Sequence, residues 1–443
     1  MSWKRVQLSE VLIQQKETVE LKSNEEYTLV TISKTGAITK RETKKGVEIK
    51  GKSALKIKSG DFIYSRLAVH SGAFGIIPKE LNDAIVTNEM PSFEIKDNIL
   101  PEFLIHSLTL PDFSHQITHL TKGVGRTRVK EKSFLGLEIN LPTLSQQKKI
   151  VTWLASCSNI SDNISANQIA QFNLIKQLRQ AFLREAMQGK LVPQDKNDEP
   201  ASVLLEKIKA EKERLVKEKR IKKQKPLPPI TEEEIPFEIP ENWVWCRLGD
   251  SGELKRGKSK HRPRNDHKLF AGGEYPFVQT GDVARSKSNG YIIETINGYY
   301  NDFGLAQSEM QPIGTLCITI AANIAECGFL GFDACVPDSI VCYSSLDNTT
   351  EKYTFYYLID AREEIEKYAP ATAQKNINLG ILNSLLIPIP PLSEQERIVA
   401  KLDELMAYCD ELVKNIKESQ RQNELLLQQV LREALEPTNV QPV

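Results

Sequence analysis

Two stretches of the chain carry the same hydrophobic pattern. Residues 141–154 read LPTLSQQKKIVTWL and residues 389–402 read IPPLSEQERIVAKL, an offset of 248. Carried forward without a gap, the offset lays FLREA (182–186) over VLREA (430–434), and 15 of the 47 positions from 141 to 187 are identical to their partners. Constant internal spacing over that length marks a duplication. Each copy opens on a proline-rich strand end followed by Ser145 or Ser393 at the N-cap position, with Glu396 three residues past Ser393 as in a capping box. In the second copy Leu402, Cys409, Ile416, Asn423 and Val430 fall seven apart, with Leu405, Leu412, Ser419 and Leu426 between them, the a and d positions of a coiled-coil seam. The first copy keeps an apolar stripe (Ile150, Leu154, Cys157, Ile160, Ile164, Phe172, Ile175, Leu178, Phe182) with Gln168 and Gln171 near its middle. At about 1.5 Å per residue each copy predicts a helix roughly 65 Å long. The expectation is that the two pack antiparallel on each other about a pseudo-twofold axis rather than each on its own block. Gln168, Gln171, Ser419 and Asn423 would then set the register.

Before each helix lies a longer, less uniform block. Trp3-Lys-Arg-Val-Gln-Leu8 matches Trp243-Val-Trp-Cys-Arg-Leu248 weakly, and Gly60-Asp-Phe-Ile-Tyr64 matches Gly314-Thr-Leu-Cys-Ile318. Short β-branched and aromatic runs (DFIYSRLAV, TLCITIAA, SIVCYSS) broken by Gly, Pro, Asn and Asp predict mixed α/β structure with much strand. The expected organisation is a first block at 1–142, a first long helix at 143–190 ended by Gly189, and a charged helix with a Pro-rich linker at 191–241. A second block follows at 242–390, then a second long helix at 391–436 and a tail at 437–443.

Composition narrows the function. Lys+Arg 58 against Asp+Glu 58 leaves no net charge, which argues against a protein that coats nucleic acid non-specifically and leaves room for local basic patches. Seven cysteines without a C-x-x-C pair speak against a disulfide framework or a zinc ribbon. The longest nearly apolar stretch, Thr315–Ala322, is far short of the roughly 20 residues of a membrane helix. MSWKRVQLSE has no apolar signal core. The reading is a soluble, cytoplasmic, metal-free chain with no membrane partner.

Most motifs of chemistry fail. Gly252-Glu-Leu-Lys-Arg-Gly257-Lys258-Ser259 fits G-x-x-x-x-G-K-[ST] by letter, but its lead-in is polar and Pro263 stands where the following helix must run. The same stretch reads better as a flexible cationic loop: Lys255, Arg256, Lys258, Lys260, Arg262, Arg264 and Lys268 are offset only by Glu253 and Asp266, within a block otherwise slightly acidic. Such a loop suits phosphates or bases. Gly123–Val129, with Lys122, Arg126 and Arg128, aligns at the 248 offset with Ala371–Ile377, which holds Gln374, Lys375 and Asn376. Arg suits guanine edges and Gln or Asn adenine edges. The basic run Lys217–Lys225 reads as a solvated helix face. His115 and His119 stand four apart without a further ligand at metal spacing. No G-x-S-x-G elbow and no (N/D)-P-P-(Y/F) tetrapeptide occurs, so no catalytic centre is expected.

The pattern IPIPPLSEQERIVAKLDEL, the segment LREAMQGKLVPQDKNDEPASVLLEKIKAEKERL, the re-entry LPPI…EIPENWVWCRLGD and the block YPFVQTGDV together resemble the specificity subunit of type I restriction–modification systems. The resemblance implies two target-recognition domains, each reading one half of a split, asymmetric DNA sequence, held apart by two antiparallel helices acting as a ruler. It implies modification subunits, typically two, that supply S-adenosylmethionine and methylate adenine, and restriction subunits that add ATP- and magnesium-dependent translocation and cleavage. The chain itself would hold no cofactor. One departure is that YTLVTIS (27–33) offers no clear counterpart to YPFVQTGDV. A stand-alone DNA methyltransferase or nuclease, and a coiled-coil scaffold without a DNA role, are the alternatives.

Overall fold

A computed structural model describes residues 3–120, 128–346, 351–368 and 377–435. It divides into two compact units, Met1–Ala170 with Ile416–Val443, and Gln171–Asn415. Both long helices are 44 residues, Leu144–Met187 and Leu392–Leu435, so the 248 offset holds from first residue to last.

Each block is closed by its own first and last strands. Lys4–Gln7 pairs antiparallel with Glu138–Leu141, and Val244–Arg247 pairs antiparallel with Leu386–Ile389. The facing residues Val6 and Ile139 in one block, and Cys246 and Ile387 in the other, are buried. The closing strand runs straight into the long helix through Pro142 or Pro390, which keeps the chain extended up to the helix start.

Between the closing strands each block holds two sheets. In the first, Leu12–Gln15, Ser92–Ile95, Phe62–Tyr64 and Phe74–Ile76 lie in that spatial order, packed by an aromatic core in which the Tyr64 and Phe134 rings stack at 4.2 Å. The second sheet runs Thr18–Glu20, Ser53–Lys56, Ile85–Val86, Glu26–Ile32, Ile38–Lys45. In the other block one sheet runs Gly252–Arg256, Ile340–Ser345, Leu316–Thr319, Cys327–Leu330, Ile292–Ile293. Its companion runs Gly298–Tyr300, Tyr275–Phe277, Ala334–Cys335, Met310–Gln311.

These second sheets supply the counterpart that was missing in the letters. Glu26–Ile32 pairs in parallel with Ile85–Val86 at Leu29↔Ile85 and antiparallel with Ile38–Lys45. Tyr275–Phe277 pairs in parallel with Ala334–Cys335 at Phe277↔Cys335 and antiparallel with Gly298–Tyr300. YTLVTIS and YPF therefore occupy the same place in the two blocks. The likeness hides because the first block extends the pair into a long hairpin, where the second turns after Phe277 into the helix Thr280–Ser286.

The helix starts correct one expectation. Ser145 and Ser393 lie inside the first turn. Thr143 is the cap: its carbonyl accepts from Gln147 N at 2.9 Å, and its backbone N–H donates to Gln146 Oε1 at 3.0 Å. Ser393 instead donates to Asp198 at 2.6 Å, and Asp198 also accepts from Arg397 at 2.6 Å, which holds its carboxyl below the usual value. The fully buried Gln147 accepts from Leu100 N (2.8 Å) and donates to the carbonyls of Asn98 (3.1 Å) and Pro142 (2.9 Å). Its repeat partner, Gln395, donates to the Pro390 carbonyl at 2.9 Å.

The helices pack antiparallel within each unit. In the first, Gln168 donates to Ser419 Oγ at 3.0 Å and Asn423 to Ser161 Oγ at 3.0 Å, while Leu154 and Leu435 share the core with Val430 and Leu431. In the second, Leu183, Ala186 and Met187 share a core with Ile398 and Leu402, and Arg179 meets Asp410 at 2.6 Å. Gln171 is exposed and outside the seam, contrary to expectation. Ile160, Ile164 and Leu178 are 60%, 37% and 37% exposed. The reason is helical pitch: at about 100° per residue, Leu154, Gln168 and Ile175 define the buried side. Ile160, Ile164 and Leu178 fall on an adjacent strip. Gly189 ends the first helix at φ +68, where an added Cβ would meet Pro240 Cγ at 2.4 Å. No helix among the described residues is long and apolar enough to cross a membrane.

Gln147→Ala leaves one backbone N–H and two carbonyls without the partner that the buried Gln147 gives them and lowers stability by about 2–4 kcal/mol, read by urea denaturation of the full chain. Gln171→Ala, on the exposed side, changes it by less than about 0.5 kcal/mol. Equal effects would remove Gln147 from its anchoring role. Replacing Gln168 and Ser419 together by Leu and Ala is neutral or stabilising by about 1 kcal/mol, since both partners of one bond go together. The check is the same denaturation curve.

Candidate nucleic-acid interface

The cationic stretch of the second block is built rather than loose. Lys255 and Arg256 lie on the strand Gly252–Arg256, paired along Ile340–Ser345. Lys255 forms an ion pair with Glu309, and Arg256 donates to the Asp338 carbonyl. Arg262 and Arg264 both reach the Asp338 carboxylate, at 3.1 and 2.6 Å. His261 sits 2.8 Å from Asp266, whose carboxyl is held below its usual value by the Lys268 amide and then by His261. Lys258, Lys260 and Lys268 have no carboxylate partner among the described residues. The expected flexible loop is thus a strand followed by a segment pinned on one aspartate.

The same geometry disposes of the phosphate-loop pattern. Gly252 is extended, and its Cβ position is filled by the Tyr343 ring at 2.6 Å. A Cβ on Gly257 would fall 2.3 Å from the Pro337 carbonyl. Both glycines serve close packing inside a sheet, and no helix follows to aim its N-terminus at a phosphate.

Beside this segment opens a cleft of about 650 Å³ lined by Arg264, Asn265, Gln279, Thr280, Asn297 and Tyr299, with Phe270 and Phe277 among its apolar walls. Three pieces of the block converge there: the segment pinned by Asp338, the turn after Tyr275–Phe277, and the strand Gly298–Tyr300. Gly298 lets them approach, since a Cβ there would meet the Phe277 carbonyl at 3.3 Å and Gln279 Nε2 at 3.4 Å. Guanidinium, amide and hydroxyl groups around an open cleft, with a half-exposed tyrosine ring at its edge, are the donors, acceptors and stacking face that base edges require. Of these only Arg264 was expected. Gln279 and Thr280 sit in the YPFVQTGDV stretch, so that motif was the available signal. Asn265, Asn297 and Tyr299 are brought in by the fold.

Of the aligned tips, Lys122, Arg126, Gln374, Lys375 and Asn376 lie outside the described residues. Arg128 is exposed and meets Glu89 at 3.0 Å. The first block has a basic region that fits no motif: residues 34–58 hold nine Lys or Arg against Glu42 and Glu48. Among the described residues no group of three or more His, Cys, Asp or Glu is placed to hold a metal ion.

Comparison with known proteins places this architecture. The family model for the type I restriction modification DNA specificity domain matches residues 1–173 and 240–419. The type I restriction enzyme EcoAI specificity subunit of Escherichia coli is 30% identical over 309 residues, covering 67% of this chain and 51% of that protein. The EcoEI specificity subunit of Escherichia coli is 32% identical over 280 residues, covering 59% and 45%. The matched chain thus spans about half the length of these two relatives. The EcoKI specificity subunit of Escherichia coli strain K12 is 24% identical, covering 86% of this chain and 75% of that one. A solved structure concerned with complex assembly and conformational transition of the type I R-M system superposes with a TM-score of 0.69 at 19% identity, covering 98% of each chain. The HsdS subunit from Thermoanaerobacter tengcongensis does so at 0.59 and 20%, covering 98% of this chain and 96% of that one. Two matched regions that fall on the two duplicated halves, on a shared fold, settle the kinship: the chain belongs to the type I restriction modification DNA specificity domain family.

Proposed function

We propose that this chain is the DNA-recognition subunit of a type I restriction–modification complex. Each block reads one half of an asymmetric, bipartite target, and the paired helices set the unread spacer between the halves. The observation that carries this reading is the duplication itself: the second sheets, one of five strands and one of four, share the order of four strands but present different surfaces, and each block is tied to a 44-residue helix. Repeated scaffolds with unlike faces suit two half-sites of unlike sequence, about one helical turn apart on the duplex.

The chain's own contribution is to bind and orient. The cleft beside Arg264, Gln279 and Asn297 offers bidentate groups to base edges, and the half-exposed Tyr299 ring offers a stacking face. Modification subunits, two in this reading, bring S-adenosylmethionine and methylate adenine. Restriction subunits bring ATP and magnesium. The chain is not itself an enzyme here and holds no cofactor, and it works in the cytoplasm with the DNA. Trp153, Ile160 and Ile164, left exposed on the strip of the first long helix beside the seam, support a docking face for a modification subunit.

Modified-base sequencing of host DNA, with the gene intact and deleted, tests the whole reading. Loss of methyladenine from one split asymmetric motif is the expected result, and an unchanged methylome in a host expressing the partner subunits overturns it. Gln279→Ala or Arg264→Ala relaxes discrimination by about 1–3 kcal/mol at positions of one half-site only, read by selection from randomised duplexes. Relaxation at both half-sites would take the cleft out of base reading. Ile160→Glu on its exposed face changes stability by less than about 0.5 kcal/mol but loses co-purification of modification subunits. Retained assembly would place their docking face elsewhere.

A further inference from the structure

The nine cations of residues 34–58 are not spread evenly over their block. Lys56 pairs with Asp83 at 2.7 Å and Lys58 with Glu17 at 3.0 Å. Glu42 serves both Lys44 (3.1 Å) and Arg41 (3.4 Å), one carboxylate for two cations. Glu48 spends an oxygen on the Lys45 amide at 2.9 Å. Lys34, Lys40, Lys45, Lys50 and Lys52 have no carboxylate partner among the described residues. The result is a concentration of unneutralised positive charge in a chain of zero net charge.

That charge sits on a rigid support. Ile38–Lys45 is the edge strand of its sheet, paired among the described residues only with Glu26–Ile32, and Thr39, Lys40, Arg41, Thr43 and Lys45 are exposed. The hairpin tip is held close against the neighbouring sheet through glycines. A Cβ on Gly36 would meet the Phe74 carbonyl at 2.7 Å, one on Gly72 the Lys34 carbonyl at 2.5 Å, and one on Gly75 the Gly36 carbonyl at 2.7 Å. Protection of an edge strand from unwanted pairing needs a lysine or two. It does not explain a run that continues past the strand to Lys50 and Lys52.

The second block gives an independent pointer. Its equivalent of Ile38–Lys45 is Gly298–Tyr300, the strand whose Tyr299 and preceding Asn297 line the cleft. There the strand pair Tyr275–Phe277 and Gly298–Tyr300 carries no Lys or Arg, and of the neighbouring cations Lys255 pairs with Glu309 while Arg262 and Arg264 share Asp338. The same strand pair is thus without cations in one block and carries Lys40, Arg41, Lys44 and Lys45 in the other.

We infer that the hairpin Glu26–Lys45 is a phosphate-binding ribbon for duplex DNA, and that it supplies most of the salt-dependent part of this chain's affinity while the cleft of the second block supplies discrimination. This rests on the DNA-recognition reading above and divides its labour between the blocks. A two-stranded ribbon fits the width of a major groove, and its Lys and Arg side chains release counterions from the phosphates that they meet.

The test uses the full chain and a duplex carrying the methylated motif, with binding measured across a salt series. Lys40→Gln, Arg41→Gln and Lys45→Gln together flatten the slope of log affinity against log salt by about 2–3, because each lost phosphate contact removes about 0.9. The ratio of specific to non-specific binding stays near wild type. The Lys40→Arg, Arg41→Lys, Lys45→Arg variant keeps the wild-type slope, which shows that a loss in the first variant is of charge and not of fold. Lys222→Gln, Lys223→Gln and Lys225→Gln remove the same charge from the linker and leave the slope unchanged. A slope unaltered in the hairpin variant, an equal loss in the linker variant, or a collapse of the specificity ratio overturns the inference while leaving DNA recognition standing. So does an unchanged slope with lost assembly of modification subunits, which would make the ribbon a protein-docking surface. Wild-type chain that shows no salt-dependent binding to the duplex overturns both readings.

Discussion

A long helix is useful as a measuring element only if its direction is fixed where it leaves its domain, and in the first unit that task falls on one buried side chain. Gln147 satisfies a backbone N–H and two carbonyls from two separate segments, Asn98–Leu100 and Pro142, in a site closed to water. A buried amide with each of these partners in place resists rotation of the helix, because any tilt strands polar groups at a cost of several kcal/mol. The closing strands add a second constraint, since the chain enters and leaves the block side by side. Gln395 stands at the same turn of the second helix, after the same strand closure. The direction in which each long helix leaves its block depends on these joints.

Electrostatics sort the two blocks more sharply than composition does. With equal numbers of acidic and basic residues overall, any long-range attraction to phosphate must come from local imbalance. In the second block Asp338 engages Arg262 and Arg264 through its carboxylate and Arg256 through its carbonyl, while Lys258, Lys260 and Lys268 beside them have no carboxylate partner among the described residues. In the first block Lys34, Lys40 and Lys45 have no carboxylate partner among the described residues, and there the cations stand on the strand pair itself, in a hairpin held down by close-packed glycines. Preorganised polar groups in a cleft favour selectivity, whereas unpaired surface cations favour affinity and fast encounter. On the proposed division of labour, duplication followed by divergence at one strand pair separates two properties that a single surface would have to compromise between.

The exposed apolar strip beside the helix seam follows from a mismatch of periods. A strict seven-residue repeat keeps one seam facing a partner, but the first helix departs from that repeat, and its apolar positions drift around the axis. Leu154 and Ile175 remain on the buried side, while Ile160 and Ile164 turn outward. In the second helix the heptad positions Leu402 and Cys409 are buried, but Leu426 is 60% exposed. Apolar residues that serve no internal seam are the natural place for another subunit to rest.

Much of the molecule was legible in the chain as letters. The constant 248 offset, the heptad positions of the second helix and the proline-marked helix starts are local or periodic signals, and they carried the two 44-residue helices, the duplication and the mixed α/β blocks. The sequence also carried the kinship, through motifs strongest where the chain is most repeated. What it could not carry is anything decided by partners far apart. Thr143 caps where Ser145 was expected because the closing strand sets where the helix begins, and Gln171 points away because the seam belongs to both helices. Lys255 and Arg256 lie on a strand because Ile340–Ser345 lies alongside. The equivalence of YTLVTIS and YPF exists only as a pairing pattern, Leu29 with Ile85 and Phe277 with Cys335. Charge along a sequence likewise counts cations but not their neutralising partners, so the letters singled out the stretch around Lys258 and passed over the hairpin. Periodicity is a property of the chain, whereas pairing, neutralisation and exposure are properties of contacts, and only the tertiary structure decides those.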